Sequence, residues 1–334
     1  LSRDSFLGTT YTGRERENGF NRILGADGQI RINPSSIFGF HYFRSWTKPE
    51  KISSSDSGHT LGLHYYYTTR DWIIMLGLQD ISDDFQTETG YITRTGITRF
   101  RSGVLKMFYP DSKIIKRIDP LIHSFQVKDK FSGLYETYNT FDLRFILPRN
   151  TIILAGYRYA NEVFLNKKFS TNGTRFILNT QLTKQLFLDI NYNYGNKIRY
   201  LAIPYQGKGN DISASMNYLP SQKLHLDLSL IHSDFIRSSD SIKEYDYMIL
   251  RSRNTFQVNK YLFFRGILEY NSFRKILTTD FLASFTYIPG TVLHIGYGSL
   301  YEKLSWVEGE YRYSDRFMEM QRGFFFKASY LWRL

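Results

Sequence analysis

Hydrophobic and polar residues alternate one by one through much of this chain. In "KLHLDLSLI", Leu224, Leu226, Leu228 and Leu230 share one face, and His225, Asp227 and Ser229 share the other. "QLFLDINYNYG" sets Leu186, Leu188, Ile190, Tyr192 and Tyr194 against Asp189, Asn191 and Asn193. "DISASMNYL" opposes Ile212, Ala214, Met216 and Tyr218 to Asp211, Ser213, Ser215 and Asn217, and "TFDLRFIL" opposes Phe141, Leu143 and Phe145 to Asp142 and Arg144. A period of two belongs to the β-strand, whose successive side chains point to opposite faces. No stretch joins a helical period to helix caps, and no apolar run approaches the roughly 18 residues of a transmembrane helix. The pattern predicts an all-β chain.

Tight turns are expected at 33–36, 68–71, 109–112, 147–150, 182–185, 219–222, 258–261 and 288–291. Pro34, Pro110, Pro148, Pro220 and Pro289 lie in them, where a fixed φ and a missing N–H cost little. The intervening connections at 48–57, 82–96, 162–170, 197–207, 235–244 and 304–318 read as longer and more polar. Short turns at one end and longer loops at the other are the signature of an antiparallel transmembrane β-barrel of the outer-membrane type. With a first strand in 5–14 and a last in 323–334, the count is about eighteen strands. Pro120 interrupts 113–129 and makes a bulge there, or about sixteen strands, the alternative. Both termini fall at the short-turn, periplasmic end. Residues 1–334 read as a single barrel domain, expected to be the C-terminal part of a longer chain because it opens on Leu1 with no signal peptide.

Composition fits this picture. Aromatics make up 17 % of residues, with 26 Tyr and 27 Phe. Tyr67, Trp72, Tyr109, Tyr218, Tyr261 and Tyr287 stand beside the short turns, where a headgroup-level girdle belongs. Negative mean hydropathy is compatible with a barrel, which needs apolar residues only at alternate positions. The net charge of +12 is spread along the chain, and the girdle accounts for its aromatics, so nucleic acid is not an expected partner. Without cysteine there is no disulfide, thiolate metal site or cysteine nucleophile. Expected partners are the bilayer and lipopolysaccharide, the barrel-insertion machinery during biogenesis, and other outer-membrane or periplasmic proteins.

If the leucine-rich face meets lipid, the inward face carries Asp142, Arg144, Arg158, Arg175, Asp189, His225, Asp227, Arg251, Arg253, Arg265, Glu269 and His294. Of these, Arg144, Arg158, Arg175, Asp189, Asp227, Arg251, Arg253, Arg265 and Glu269 are the selectivity candidates, since charges facing a water-filled lumen tune solute selection. The plainer alternative is that they pair with one another and solvate or fill the interior. Inward aromatics are expected at Phe187, Phe263 and Phe325. The 82–96 loop, "SDDFQTETGYITRTG", is a candidate constriction through Asp83, Asp84, Phe85, Gly90 and Arg94. Asp80, Asp83, Asp84 and Glu88 lack the spacing of a Ca²⁺ loop, and a solvated loop or a mouth constriction is favoured over a metal site. Gly90 and Gly96 are expected in turns, and "GADG" at 25–28 marks a close approach or a bulge. The final alternation through Tyr330, Trp332 and Leu334 reads as a barrel-insertion signal. With no His-x-x-x-His or Gly-x-Ser-x-Gly element, and only chance spacings at His225/Ser229 and His232/Ser233, the chain reads as a non-enzyme without cofactors or metals.

The same loop carries a family resemblance. Asp84, Phe85, Gly90, Tyr91, Thr93, Arg94 and Thr95 resemble the "DF…GFVPRT" element of an uncharacterised Gram-negative outer-membrane barrel family. Gly8, Gly25 and Asp27 resemble its opening hairpin, and "SYLWRL" its ending. Tyr-Ile stands where the family has Phe-Val, and Thr where it has Pro. In that family the barrel follows a periplasmic domain similar to a family-nine carbohydrate-binding module, and no catalytic residues are established. The resemblance implies saccharides as solutes. The expected function is therefore porin-like passage of small solutes, saccharides among them. The alternative is an occluded barrel anchoring the carbohydrate-binding-like domain or a partner complex.

Overall fold

The computed structural model describes residues 4–50 and 54–332, and among these it contains nineteen strands and no helix. In chain order they are β1 (Phe6–Glu15), β2 (Phe20–Asn33), β3 (Ser36–Lys48), β4 (Asp56–Thr68), β5 (Trp72–Ile81), β6 (Ile97–Lys106), β7 (Arg117–Asp129), β8 (Tyr135–Leu147), β9 (Thr151–Phe164) and β10 (Lys167–Ser170). There follow β11 (Gly173–Thr183), β12 (Leu186–Arg199), β13 (Tyr205–Tyr218), β14 (Leu224–Arg237), β15 (Lys243–Gln257), β16 (Leu262–Asn271), β17 (Ile276–Ile288), β18 (Thr291–Val307) and β19 (Glu310–Ser329). Two compact units divide the chain: the first holds Leu1–Phe145 and Ala155–Thr174, the second Ile146–Leu154 and Arg175–Leu334.

Within each unit, strands adjacent in sequence pair antiparallel. Register follows the hydrophobic pattern, because a one-residue slip would put every side chain on the wrong face. In the second unit, Leu224, Phe256, Phe264, Ala283, Ile295 and Phe326 line up across six strands as one apolar row. Three positions along each strand, Asp227, Arg253, Ile267, Asp280 and Gly298 line up on the opposite face. The first unit repeats the scheme, with Phe40, Leu63, Leu78 and Phe100 aligned. The apolar rows are open: Phe264 is 47 % exposed, Ile295 50 % and Phe326 69 %. A contiguous apolar face of this extent calls for an apolar surround.

The strand count needs one adjustment. β10 and β11 both pair with β9, so they are two halves of one ladder row interrupted at Thr171 and Asn172, whose polar groups bond Ala160. Counted that way, nineteen segments make the eighteen rows expected. Pro120 lies inside β7 but beyond the end of its pairing with β6, so its missing N–H breaks no bond of that ladder.

Two of the expected long loops are instead two-residue turns. Leu165–Asn166 closes β9 on β10, and Glu308–Gly309 closes β18 on β19, with φ of 49°, 57°, 52° and 88°. Positive φ at both central positions gives the tight twist-matched hairpin turn, here reached mostly without glycine. The polarity of 304–318 misled because β18 and β19, at 17 and 20 residues, run well past the roughly 9–11 residues that span a bilayer. The polar residues sit on strand extensions. Strand order ends at Ser329; Tyr330 and Trp332 follow as an exposed ring pair 6.1 Å apart, and Leu334 lies outside the described residues. β1 begins and β19 ends at the short-turn end of their units. At that end, Lys106 Nζ sits 4.7 Å from the Trp72 ring centre, Arg70 5.1 Å from Tyr109 and Lys260 4.8 Å from Tyr261.

Candidate functional site

The 82–96 loop does not stand out in solvent. It lies down on the polar face of the first unit. Phe85 is 4 % exposed and packs with Ile81, Ile97 and Val127, flanked by Phe43, Ile92 and Phe125. Burying such a ring is worth about 1.5–3 kcal/mol. Gly58 makes this fit possible: a Cβ there would sit 2.1 Å from the Phe85 backbone nitrogen. The loop is then tied down strand by strand. Asn21 Nδ2 donates to the Gln86 carbonyl at 3.1 Å and Asn21 Oδ1 accepts from the Glu88 N–H at 3.0 Å. Ser45 Oγ accepts from the Gln86 N–H, and Thr89 bonds Thr12 at 3.1 Å. Asn21 and Ser45 are fully buried under the loop.

Charge closes both flanks. Glu88 pairs with Arg16 at 2.9 Å and Arg14 at 3.5 Å. Arg94 reaches Asp129 and Glu136 on β7 and β8, and Lys130 holds Asp80 at 2.9 Å. Burial works against the charge on Arg94, but its hydrogen bonds to Asp129 and Glu136 outweigh this and raise its pKa above the usual arginine value. Gly96 takes a φ of +67°, as a turn requires, whereas Gly90 has no positive φ and sits in the exposed tip beside Tyr91. Asp83 and Asp84 are not drawn together with Asp80 and Glu88, which are held by Lys130 and the arginines. Among the described residues no three acidic or histidine groups converge as a metal site.

The remaining sequence candidates are laid along the strand walls. In the first unit Arg144 clamps Asp119 at 2.6 Å, and Arg158 Nε donates to the Thr171 carbonyl at 2.8 Å. Asp119 is wholly buried, and Arg117 Nε also lies 2.8 Å from it, an ion pair without hydrogen-bond geometry. In the second unit Arg251 faces Glu269 at 3.4 Å, Arg253 faces Asp227 at 4.0 Å, and Arg265 faces Asp280 at 3.9 Å. Asp227 also accepts from Asn217 at 2.7 Å and sits 3.0 Å from His225. Asp189 accepts from Asn179 and Asn191, and Arg175 is engaged as well. Phe187, Phe263 and Phe325 fall on this polar face, Phe325 lying flat over Gly296. A cavity of about 560 Å³ opens along the wall, lined by Arg251, Glu269, Thr278, Asp280 and Gln321 among others. The structure thus groups Asp227 with Arg253 and Arg251 with Glu269, and leaves Arg144 and Arg158 in separate contacts.

Sequence reasoning passed over Asp119, Asn21, Ser45 and Gly58. Asp119 follows Arg117 on the same face, a local signal. The other three are single polar or small residues in ordinary strand alternation, and nothing in the pattern singles them out.

No protein-family model and no curated protein matches the chain. Solved structures do. The copper transporter OprC aligns with a TM-score of 0.55 at 12 % identity, over 98 % of this chain and 69 % of that one. The fold is therefore an antiparallel β-barrel. The apolar face is the outside of that barrel and the polar face lines its interior. A mutant form of the ferric enterobactin receptor PfeA of Pseudomonas aeruginosa aligns at TM-score 0.47 and 9 % identity over 92 % of this chain, which spans 61 % of the receptor's length.

Proposed function

We propose that this chain is an outer-membrane barrel that lets small polar solutes cross, selecting on size and charge without a chemical step. The observation that carries this reading is the wall of ion-paired arginines and carboxylates along a cavity on the polar face, opposite an exposed apolar face. A lumen lined by fixed charges attracts hydrated solutes and rejects apolar ones. The fold shared with a copper transporter supports transport in its general sense. In this reading the short turns and both termini face the periplasm, and bilayer lipid and lipopolysaccharide meet the apolar rows. Saccharides are the solute class suggested by the family resemblance.

One observation favours a second reading. The 82–96 loop covers part of the interior of the first unit, as an occluded barrel requires. The barrel would then anchor a periplasmic carbohydrate-binding-like domain or a partner complex. Single-channel recording in a planar bilayer under a KCl gradient decides between them. Steady conductance supports passage; silence from protein shown folded by heat-modifiable gel mobility supports the anchor.

A further inference from the structure

On the polar face of the first unit, next to the seat of the loop, lies a pocket of about 110 Å³. That is room for about three or four waters, or one small polyatomic ion. His41, His64, Gln79, Arg99, Arg101 and Phe125 are among the residues that line it. The sequence builds it from a repeated element, Gly39-Phe40-His41 on β3 and Gly62-Leu63-His64 on β4. The antiparallel register sets Gly39 opposite His64 and His41 opposite Gly62. Each imidazole lies over the glycine facing it: a Cβ at Gly39 would fall 2.0 Å from His64 Nε2, and one at Gly62 would fall 2.1 Å from His41 Cε1. The neighbouring pair of strands repeats the device. Gly77 faces Arg101, whose Nε a Cβ there would meet at 2.8 Å, and Gln79 faces Arg99. Three glycines thus let three nitrogen-bearing side chains lie flat on the wall with space above them.

The pocket is rich in donors and holds no acid. Arg99 and Arg101 make no hydrogen bond or ion pair among the described residues, and the Arg99 Nε is buried without a partner. Unpaired buried donors of this kind are costly unless a ligand or water meets them. Asp27, cross-strand from His41 and near enough for its charge to act on it, is not among the lining residues and lies 3.3 Å from where a Cβ of Gly8 would be. Phe125 belongs both to the pocket lining and to the shell around Phe85, so the pocket adjoins the seat of the loop.

We propose that His41, His64, Gln79, Arg99 and Arg101 form a binding site for an oxyanion, a phosphate or carboxylate group, beside the seat of the 82–96 loop. The planar forks of Arg99 and Arg101 suit such a group. The oxyanion can be a free ion or a substituent on a larger solute. Where the barrel passes solutes, the site names their class as anionic; only that extension rests on the passage reading.

The test is isothermal titration of the folded, detergent-solubilised barrel with inorganic phosphate, glucose 6-phosphate and glucose. Saturable binding of phosphate, weakened at least tenfold in Arg99→Gln/Arg101→Gln and unchanged in the surface control Lys113→Gln/Lys116→Gln, is the expected result. Binding of phosphate alone assigns a free ion; binding of glucose 6-phosphate as well assigns a carried group. Should the double variant not fold, Gln79→Glu places a carboxylate in the pocket with every cation kept, and must abolish binding. In the native barrel, phosphate must also shift the imidazole NMR signals of His41 and His64. Glucose binding as tightly as phosphate, absence of any phosphate binding, or equal loss in the control overturns the site. Because binding is read without a membrane, a conducting barrel that ignores phosphate sinks this site alone, and a binding barrel that never conducts sinks only the passage reading.

Discussion

Arg251, Arg253 and Arg265 in the second unit each find a carboxylate within 4.0 Å on the next strand, in a wall that stays open to solvent. Arg99 and Arg101 in the first unit face a histidine-lined pocket beside the seat of the folded loop, with no carboxylate in its lining. The same residue type on the same face of the same kind of ladder therefore does two different things. In the second unit the charges are balanced along the strands, and exposed pairs of this kind are worth about 0–1 kcal/mol each. They shape the local field more than they stabilise the fold. In the first unit the positive charge of Arg99 and Arg101 has no carboxylate in the pocket to balance it, as the proposed oxyanion site requires. Glycines seat cross-strand side chains in both units, His64, His41 and Arg101 over Gly39, Gly62 and Gly77 and Phe325 over Gly296; the missing carboxylate makes the difference.

Lifting the 82–96 loop should produce the largest change. Gly58→Leu puts side-chain atoms where the Phe85 backbone now lies, so the loop must lift. Amide exchange across 82–96 should speed up by more than about a hundredfold, tryptic cleavage at Arg94 should appear, and conductance should rise. Phe85→Ala should act in the same direction through the loss of a buried ring, about 3–5 kcal/mol of anchoring. Exchange mass spectrometry on the two variants checks both, and a loop that stays protected in either would show that its polar ties suffice alone.

Asp119→Ala comes next. It strips the buried acid from between Arg117 and Arg144, a change of up to about 3–5 kcal/mol for a fully buried pair and less here because both arginines are partly exposed. The temperature at which the heat-modifiable band shifts should fall. The smallest effect belongs to the balanced wall. Glu269→Gln leaves Arg251 without its partner, so stability should change by no more than about 0.5 kcal/mol, while the KCl reversal potential moves toward anions. A stability loss as large as that of Asp119→Ala would erase the contrast between the units.

Much of the ladder was legible because strand alternation and register obey the same constraint: one face must be apolar throughout. Leu224, Leu226, Leu228 and Leu230 announced both the strand and its outward side. The short turns at Pro34, Pro148 and Pro289 fell where proline allows. Loop lengths were not legible, since Leu165–Asn166 and Glu308–Gly309 adopt left-handed turns that composition does not signal. The loop at 82–96 read as a solvated loop or a mouth constriction; its anchor Gly58 could not be seen, because its role exists only across strands. The Gly-x-His repeat at 39–41 and 62–64 was visible in the sequence. Its meaning was not, because it depends on the antiparallel register that sets each histidine over the other's glycine. The candidate arginines share the polar face of the strands, but whether each is balanced depends on the cross-strand partner.

One claim stands at the centre: the polar face is a solute path narrowed by the 82–96 loop. Single-channel conductance of the native barrel beside Gly58→Leu, both verified as folded by heat-modifiable mobility, tests it directly. Steady conductance in the native protein and a larger one in the variant is the predicted result. Silence from both would contradict it, and would leave a barrel that holds something to the membrane rather than one that lets something through.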